Sequence, residues 1–259
     1  MGSKKVLIKK EKKTFVKDLN REVTVSGFEK HLVDSGKDFH TKHGIISKNN
    51  LLKKAGSTAK VANHEYIILD PVFLDHYKRI KRLAQIITLK DIGAIISNTG
   101  LTKDSNVLDA GAGSGALACF LGVLAKKVIT IDNHKKSLEV TRENVNALGL
   151  KNVVVKEGNI YTYTKINEKN IDIFVLDVPE PWKAIKTALK VLKIGGFLVV
   201  YLPNINQVQK FVKALPERFL IEKTIEVIER EWTVDAKRAR PKTKDHGHTG
   251  FLTFVRRLK

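Results

Sequence analysis

The spacing of hydrophobic residues changes near residue 70. Before it, short apolar and β-branched runs are separated by Lys, Asn and Gly, as at 6–8, 14–16 and 23–25. Runs of this kind are typical of strands joined by tight turns, so residues 1–70 predict a small N-terminal β domain. Asp70-Pro71 ends the pattern. Apolar positions then recur at helical intervals, and we interpret 71–90 as a helical linker.

From residue 91 to 259, strand-like apolar runs alternate with amphipathic segments. Such alternation predicts a mostly parallel sheet with right-handed crossovers and helices on both faces. No helical segment separates the last two runs, so we expect them to close the sheet as an antiparallel hairpin. The runs are 107–108, 128–131, 153–155, 171–176, 197–202, 219–229 and 250–256, with helical segments such as 134–147 and 182–192.

Composition excludes several classes of protein. The 259 residues are 42% hydrophobic and 29% charged, which excludes wholesale disorder. No apolar run approaches the roughly 18–20 residues of a membrane span, and the Lys-rich start lacks the apolar core of a signal peptide. The single cysteine, Cys119, cannot form an internal disulfide and is best interpreted as core packing. We therefore expect a cytoplasmic protein.

The net charge is +20, from 47 Lys+Arg and 27 Asp+Glu. An excess of this size indicates a nucleic acid partner, an anionic membrane or simply a Lys-rich proteome. It is densest near the C-terminus, where one acid, Asp245, stands among eight basic residues: Lys237, Arg238, Arg240, Lys242, Lys244, Arg256, Arg257 and Lys259.

A glycine-rich loop follows the first strand of the larger domain. Glycines at alternate positions allow a ligand to approach the backbone, and the helix that follows presents free N–H groups. The G-x-G-x-G spacing differs from the G-x-G-x-x-G of dinucleotide folds and favours an uncharged nucleoside or thioether. The expected cofactor-binding residues here are Asp109, Gly111, Gly113, Ser114, Gly115, Ala116 and Leu117.

Two further strand ends carry polar residues. Asp132 can accept hydrogen bonds from both ribose hydroxyls, and Asn159 after Gly158 can read an adenine amino group. Together with the glycine loop they predict S-adenosylmethionine (SAM) as cofactor. The alternative is an ordinary glycine-rich turn with a solvated Asp132.

The fourth strand ends in Asp-x-Pro-x-Pro-Trp at 177–182, and here the chain resembles the archaeal and bacterial homotetrameric type of tRNA (adenine-N1)-methyltransferase. The glycine loop is common to class I methyltransferases in general, whereas the combination of the Asp-x-Pro-x-Pro and His-Thr-Gly segments is more specific to this family. The other shared segments are 38–41 with Gly44, 82–87 before Lys90-Asp91, 201–203, 206–208, Arg240-Pro241 and 248–254.

The resemblance implies a Rossmann-like class I methyltransferase domain, with a seven-stranded, mostly parallel sheet and an antiparallel terminal hairpin, beside the small β domain. It implies SAM-dependent methylation of N1 of a T-loop adenosine in tRNA, at position 58 and in archaea also 57, by a homotetramer. It also implies that Gln85 contacts the cofactor. Its substrate-binding residues would be Thr88, Pro179, Trp182, His248 and Thr249.

Asp177 is the expected catalytic residue. N1 of adenosine is a neutral nucleophile, so the main requirement is alignment with the methyl group. A carboxylate beside the N6 amino group would stabilise the positive charge that develops on the ring and accept a proton. Two departures weaken the match: Thr88 stands where the family often has Tyr or His, and Asn159 stands where it has Asp.

Several alternatives stay open. Trp182 is either a base-stacking residue or a core anchor, and 38–41 is either a capped turn or an interface. His246 and His248 resemble two metal ligands without a third, so no metal is predicted. The rival functions are an N6-adenine methyltransferase, an L-isoaspartyl methyltransferase and a non-catalytic tRNA-binding subunit.

Overall fold

A computed structural model describes residues 4–83, 85–162, 167–235, 238–243 and 247–259. The chain forms two compact units, Met1–Arg79 and Ile80–Lys259. The division falls inside the segment 71–90 that the sequence predicts to be a linker. Within the described residues, no helix is long and apolar enough to cross a membrane.

The N-terminal unit consists of short antiparallel strands. Its main sheet has the order β4-β1-β8-β7, and two separate hairpins pair β2 with β3 and β5 with β6. Leu7, Ile46, Tyr66 and Ile68 are fully buried in its core. The elements are β1 Lys4–Lys9, β2 Lys12–Val16, β3 Arg21–Ser26, β4 Glu29–Asp34, β5 Phe39–Thr41, β6 Gly44–Ile46, α1 Lys48–Leu51, β7 Thr58–Val61, β8 His64–Leu69 and α2 Phe73–Tyr77.

The segment 38–41 makes the contacts of a capped turn. Asp38 Oδ1 accepts the Lys48 N–H at the start of α1, at 2.7 Å. Thr41 Oγ1 donates to the Gly44 carbonyl at 2.8 Å and accepts the His43 N–H at 3.0 Å. These bonds satisfy the side chains of Asp38 and Thr41 within their own unit.

The C-terminal unit is a seven-stranded sheet of order β11-β10-β9-β12-β13-β17-β14. β17 runs antiparallel between β13 and β14, while the other pairs are parallel. The predicted fold is confirmed. The elements are α3 Leu89–Thr99, β9 Asn106–Ala110, α4 Ala116–Leu121, β10 Lys127–Asp132, α5 Lys135–Leu148, β11 Val153–Glu157, β12 Ile171–Leu176, α6 Ile185–Val191, β13 Leu192–Leu202, α7 Ile205–Ala214, β14 Phe219–Glu226, β15 Trp232–Val234, β16 Ala239–Pro241 and β17 Phe251–Arg257.

Alternation along the strands separates the two faces of the sheet. Leu108, Phe174 and Leu198 face one side, where they pack in one cluster with Ala188 of α6 and Phe211 of α7. The strand order reverses between β9 and β12, which are neighbours in space, because the chain returns across the sheet from β11 at the edge to β12 beside β9. In an open α/β sheet, such a switch point forms a crevice at the carboxyl ends of the strands.

Candidate functional site

A pocket of about 400 Å³ opens at the carboxyl ends of β9 to β12. Six of the residues predicted to bind cofactor or substrate, or to act in catalysis, line it: Gly111, Asp132, Gly158, Asn159, Asp177 and Pro179. The sequence interpretation missed six others, namely Ile131, Asn133, Ile160, Tyr161, Val178 and Glu180. Their position directly beside predicted strand ends is the signal that would have found them.

A smaller cavity of about 30 Å³ adjoins this pocket and shares Gly111 and Asp177 with it. The predicted residues on its wall are Gln85, Asp109, Gly113, Ser114, Ala116 and Leu117. Most of the predicted cofactor-binding residues therefore lie around two adjoining spaces, both of which Asp177 lines.

The glycines of the loop are required for two different reasons. At Gly111 φ is +95°, and a Cβ would lie 2.0 Å from the Asp177 carbonyl oxygen. At Gly113 φ is +54°, but a Cβ would meet only the Gly111 carbonyl, at 4.0 Å, so the space in front of Gly113 is open. Gly111 thus permits the close approach of two strand ends, and Gly113 leaves room for a ligand against the backbone.

Asp132 anchors the loop to the end of β10. Its Oδ2 accepts the Gly113 N–H at 3.1 Å, and its Oδ1 accepts the His134 N–H at 2.9 Å. Each carboxylate oxygen can accept a second hydrogen bond. Asp132 can therefore hold the loop and still accept a pair of ribose hydroxyls from the pocket.

Asp109 is a buried carboxyl with an unsatisfied oxygen. Thr130 Oγ1 donates to its Oδ2 at 2.7 Å, whereas its Oδ1 has no partner within the described residues. Burial, together with the nearby charges of Asp177 and Asp132, raises the pKa of Asp109 to about 7, and the hydrogen bond from Thr130 opposes the shift only in part. A buried acceptor of this kind is costly to leave unpaired, so the site suits a ligand that brings an ammonium or N–H donor.

Asp177 lies where the two spaces meet. Its backbone N–H donates to the Ala110 carbonyl at 2.9 Å, which extends the pairing of β9 and β12 beyond the last strand residue. Desolvation by the surrounding protein raises the pKa of its carboxyl to about 6. Near neutral pH it is mostly ionised and is a strong hydrogen-bond acceptor in the pocket.

The third strand end is held by one main-chain bond and by bonds to two side chains. The Gly158 N–H donates to the Asp132 carbonyl at 3.0 Å, and Asn159 Oδ1 accepts the Tyr161 N–H at 2.9 Å. The Tyr161 hydroxyl in turn accepts the Glu180 N–H at 3.3 Å. Tyr161 therefore links the predicted adenine reader to the Asp-x-Pro-x-Pro loop.

Ser114 and Asn144 fasten the segment before Gln85 to the glycine loop. Ser114 Oγ accepts the Leu83 N–H at 2.8 Å. Asn144 Nδ2 donates to the Ser114 and Lys81 carbonyls, at 2.8 and 2.9 Å, and its Oδ1 accepts the Lys81 N–H. Gly115 faces Thr141, where a Cβ would lie 2.7 Å from Cγ2.

Thr88 and Thr249, predicted to bind substrate, belong to a buried polar cluster. Thr88 Oγ1 and Thr249 Oγ1 both donate to Asp91 Oδ2 at 2.8 Å. Lys90 Nζ pairs with Asp91 Oδ1 at 2.9 Å and donates to Thr249 Oγ1 at 2.6 Å. The Tyr201 hydroxyl donates to the Thr249 carbonyl at 2.8 Å. Because both hydroxyls are engaged, these contacts support a structural role, and a contact of either residue with substrate stays a prediction.

Trp182 and His248 lie outside the linings of the two spaces, as far as the chain is described. Trp182 packs against the core cluster, with Lys210 Nζ 4.1 Å from its ring centroid. The His248 ring contacts the Glu226 carboxylate, and its Nε2 lies 2.8 Å from the Pro203 carbonyl. Both partners are hydrogen-bond acceptors and therefore favour the protonated ring. They raise the pKa of His248 above its usual value, and the bond to Glu226 is the main cause.

His246 lies outside the described residues. Among the residues that are described, no group of three or more His, Cys, Asp or Glu is placed to hold a metal. Cys119 is fully buried on α4, as expected for core packing.

The comparisons with known proteins identify the family. A family model described as "tRNA methyltransferase complex GCD14 subunit" matches residues 73–240. The "tRNA (adenine(57)-N(1)/adenine(58)-N(1))-methyltransferase TrmI" of Methanocaldococcus jannaschii is 35% identical, over 84% of this chain and 87% of its own length. The chain belongs to the tRNA (adenine-N1)-methyltransferase family. The resemblance stated from the sequence motifs is confirmed.

Solved structures agree with the fold. A SAM-dependent O-methyltransferase from Thermotoga maritima matches with a TM-score of 0.83 and 27% identity, covering 100% of this chain and 94% of its own. The tRNA (m1A58) methyltransferase TrmI of Aquifex aeolicus matches with a TM-score of 0.78 and 24% identity, covering 100% and 98%. The second match bears on the fold alone.

Proposed function

We propose that this protein is a SAM-dependent methyltransferase that modifies N1 of T-loop adenosine 58 in tRNA, with adenosine 57 as a second position. The observation that carries the proposal is the place of Asp177. Asp177 lines both of two adjoining spaces, in a chain that is 35% identical to an adenine-57/58 N1-methyltransferase.

The residues present fit SAM, which supplies a methyl group on a positively charged sulfur. Asp132 would accept the ribose hydroxyls and Asn159 would face the adenine. The unpaired Asp109 Oδ1 would accept from the amino group of the methionine moiety. The open backbone at Gly113 would allow the cofactor close to the loop.

Asp177 would act on the adenine that receives the methyl group. Its ionised carboxylate would accept a hydrogen bond from the N6 amino group and so orient N1 for attack. As positive charge develops on the ring, the same contact strengthens, because the site is largely shielded from water. Asp177 can then accept an N6 proton, which passes later to solvent.

The test is the identity of the methylated nucleoside. Purified protein would be incubated with an unmodified tRNA transcript and methyl-labelled SAM, and the RNA digested to nucleosides. We expect N1-methyladenosine from wild-type transcript, with incorporation reduced when adenosine 58 or 57 is replaced and abolished when both are. N6-methyladenosine, a ribose-methylated product or no product would contradict the proposal. The second and third outcomes correspond to an O-methyltransferase and to a non-catalytic RNA-binding subunit.

We also infer a homotetramer that acts on tRNA in the cytoplasm. Support for self-association comes from exposed apolar side chains at one edge of the C-terminal sheet. β14 is the edge strand there, with Leu220 51% exposed, and it is followed by Ile228, Trp232 and Val234, which are 67%, 53% and 73% exposed. Unpaired edges with apolar side chains favour pairing with another chain.

A further inference from the structure

Two loops from strands that are not neighbours meet at the larger pocket. One loop, 158–161, follows β11, and the other, 177–181, follows β12. In the sheet, β10 and β9 separate β11 from β12, so these two strands lie roughly 14 Å apart. Strands at that distance cannot form main-chain ladder bonds with each other. Contact between their loops therefore depends on side chains that reach across the carboxyl edge of the sheet.

Tyr161 makes such a contact. Its hydroxyl accepts the Glu180 N–H at 3.3 Å, and both residues line the pocket. Proline has no N–H, so Glu180 carries the one main-chain donor of the segment Pro179-Glu180-Pro181. The Tyr161 hydroxyl therefore occupies the single main-chain donor that this part of the Asp-x-Pro-x-Pro loop can offer.

The Tyr161 side chain reaches the loop from a well-held base. Its N–H donates to Asn159 Oδ1 at 2.9 Å, and the preceding carbonyl, that of Ile160, accepts from Thr187 Oγ1 of α6 at 2.7 Å. Thr187 is 1% exposed, and the Tyr161 ring packs against the core cluster of the sheet. A side chain fixed at its base and along its ring can hold a partner loop in one place.

The bond to Tyr161 anchors the far end of the segment that begins with Asp177. At the near end, the Asp177 N–H donates to the Ala110 carbonyl at 2.9 Å. Val178 and Pro179 lie between the two anchors and line the pocket. From Glu180 the chain turns into α6, since the Lys183 N–H donates to the Glu180 carbonyl at 3.0 Å. Two hydrogen bonds, one at each end, thus hold the residues that lead away from the Asp177 carboxylate.

We propose that Tyr161 is a positioning residue for methyl transfer, whose hydroxyl holds the Asp-x-Pro-x-Pro loop so that the Asp177 carboxylate keeps its place against the methyl acceptor. This inference rests on the proposed function for the identity of the acceptor. Transfer requires the acceptor nitrogen, the methyl group and the sulfur to be aligned, and a displacement of about 1 Å can cost about 10²-fold in rate. Because Tyr161 acts through the loop, its loss affects the rate more than the binding of either ligand.

The test removes a single oxygen atom, in Tyr161→Phe. The ring keeps its packing against the core, so the variant should fold. The matched control is Tyr66→Phe, which removes the same atom from a fully buried tyrosine of the N-terminal unit, where the hydroxyl donates to Glu29 Oε2 at 3.1 Å. For each full-length protein we would measure single-turnover methyl transfer at saturating SAM and tRNA, the affinity for each ligand, and the urea midpoint.

We expect Tyr161→Phe to lower the single-turnover rate by about tenfold to a hundredfold, with the affinities for SAM and unmodified tRNA within about threefold of wild type. The acid limb of its pH–rate profile should move to lower pH. A loosened loop exposes Asp177 to water and so relieves part of the desolvation that raises its pKa. Tyr66→Phe should keep the wild-type rate and the wild-type acid limb, even with a lower urea midpoint, because a purely structural loss changes neither.

Four results would overturn the proposal. They are a wild-type rate in Tyr161→Phe, equal losses of rate in the two variants, and a lowered rate with an unmoved acid limb, which would show that the surroundings of Asp177 have not changed. The fourth is a loss of SAM affinity as large as the loss of rate, which would make Tyr161 a cofactor ligand instead of a positioning residue.

The nucleoside formed by the wild-type protein separates this inference from the proposed function. If that nucleoside is N1-methyladenosine, the proposed function stands whichever way the two tyrosine variants compare. If the wild type transfers the methyl group to another position, the proposed function fails, while the rate of that transfer in the two variants still decides whether Tyr161 positions the loop.

Discussion

At the scale of single residues, the site is set by two carboxyl groups whose pKa values burial raises but whose surroundings differ. Asp109 is 1% exposed and keeps one oxygen unpaired within the described chain, whereas Asp177 faces the meeting point of the two spaces. Desolvation raises both pKa values, to about 7 and about 6. The first carboxyl is therefore suited to receiving a donor from a ligand, and the second to accepting a proton during reaction.

We predict that Asp177→Asn lowers single-turnover methyl transfer by about 10²–10⁴-fold and leaves SAM affinity within about twofold. In the wild type, the ionised carboxylate is required, so the rate should fall about tenfold per pH unit below the pKa of about 6. The variant should lack this dependence. Rate measurements from pH 5 to 8 would check this, and a variant with wild-type turnover would remove Asp177 from the mechanism.

A second prediction concerns stability. Because the folded pKa of Asp109 is raised above its unfolded value, its contribution to stability is full below about pH 4 and is lost as the pH rises to about 7. Between pH 5 and 8, the free energy of unfolding of the wild type should fall by roughly 2–3 kcal/mol more than that of Asp109→Asn. Urea titrations at both pH values measure this difference.

The exposed acid Asp104 provides the control for this comparison. Asp104→Asn should show the same pH dependence as the wild type. If Asp109→Asn did so as well, the raised pKa would have no part in stability. We also expect Asp109→Asn to weaken SAM binding, because the unpaired oxygen is replaced by an amide.

At the scale of elements, one buried ion pair joins three segments that are distant in sequence. Lys90 and Asp91 stand at the start of α3, Thr249 precedes β17, and Tyr201 lies near the end of β13. The side chains of Lys90 and Asp91 are 8% and 0% exposed. Gly250 permits this packing, since a Cβ there would lie 2.6 Å from the Tyr201 ring. The pair therefore holds the His-Thr-Gly segment in place beside the end of β13.

We predict that Lys90→Met destabilises the protein by about 3–5 kcal/mol, because it leaves the Asp91 carboxylate buried without its cation. Asp91→Asn should also lower the free energy of unfolding, because it leaves the Lys90 ammonium buried without its anion. The double variant should be clearly more stable than the sum of the two single losses implies, since the neutral pair leaves no buried charge. Urea unfolding of the four proteins completes the cycle, and additive losses would show that the two residues do not act as a pair.

At the scale of the whole molecule, one edge of the C-terminal sheet has an apolar surface. Exposed apolar side chains lie at the β14 edge and on the β15–β16 hairpin. This apolar edge suits contact with another copy of the chain.

We predict that Trp232→Glu together with Val234→Glu reduces the proposed homotetramer to a smaller species. Charged side chains at these positions would be desolvated in an interface at a high energetic cost. Light scattering coupled to size exclusion would measure the mass. Ile194→Glu is the control, because Ile194 is 69% exposed at the start of β13 and outside the proposed surface. A monomeric wild type, or a tetrameric double variant, would contradict the inference.

The sequence by itself predicted the sheet, the glycine loop and the strand-end residues of the pocket. These depend on local signals: the period of apolar residues, glycines at alternate positions, and acids directly after strands. Gly111, Asp132, Asn159 and Asp177 could be assigned to one site because the carboxyl ends of parallel strands meet at one edge. The β15–β16 hairpin was not predicted, because its strands have three residues each.

Only the tertiary structure decided how the polar groups pair. Thr249 reaches Asp91 across 158 positions of sequence, and no local pattern contains that contact. The raised pKa values of Asp109 and Asp177 likewise depend on what surrounds them after folding. The same holds for charge, since Lys242 and Arg256 of the basic C-terminal segment lie beside Glu231 and Glu222, which are 11 and 34 positions away in sequence. Hydrophobic periodicity is a property of neighbours along the chain, whereas desolvation and ion pairing arise when distant segments meet.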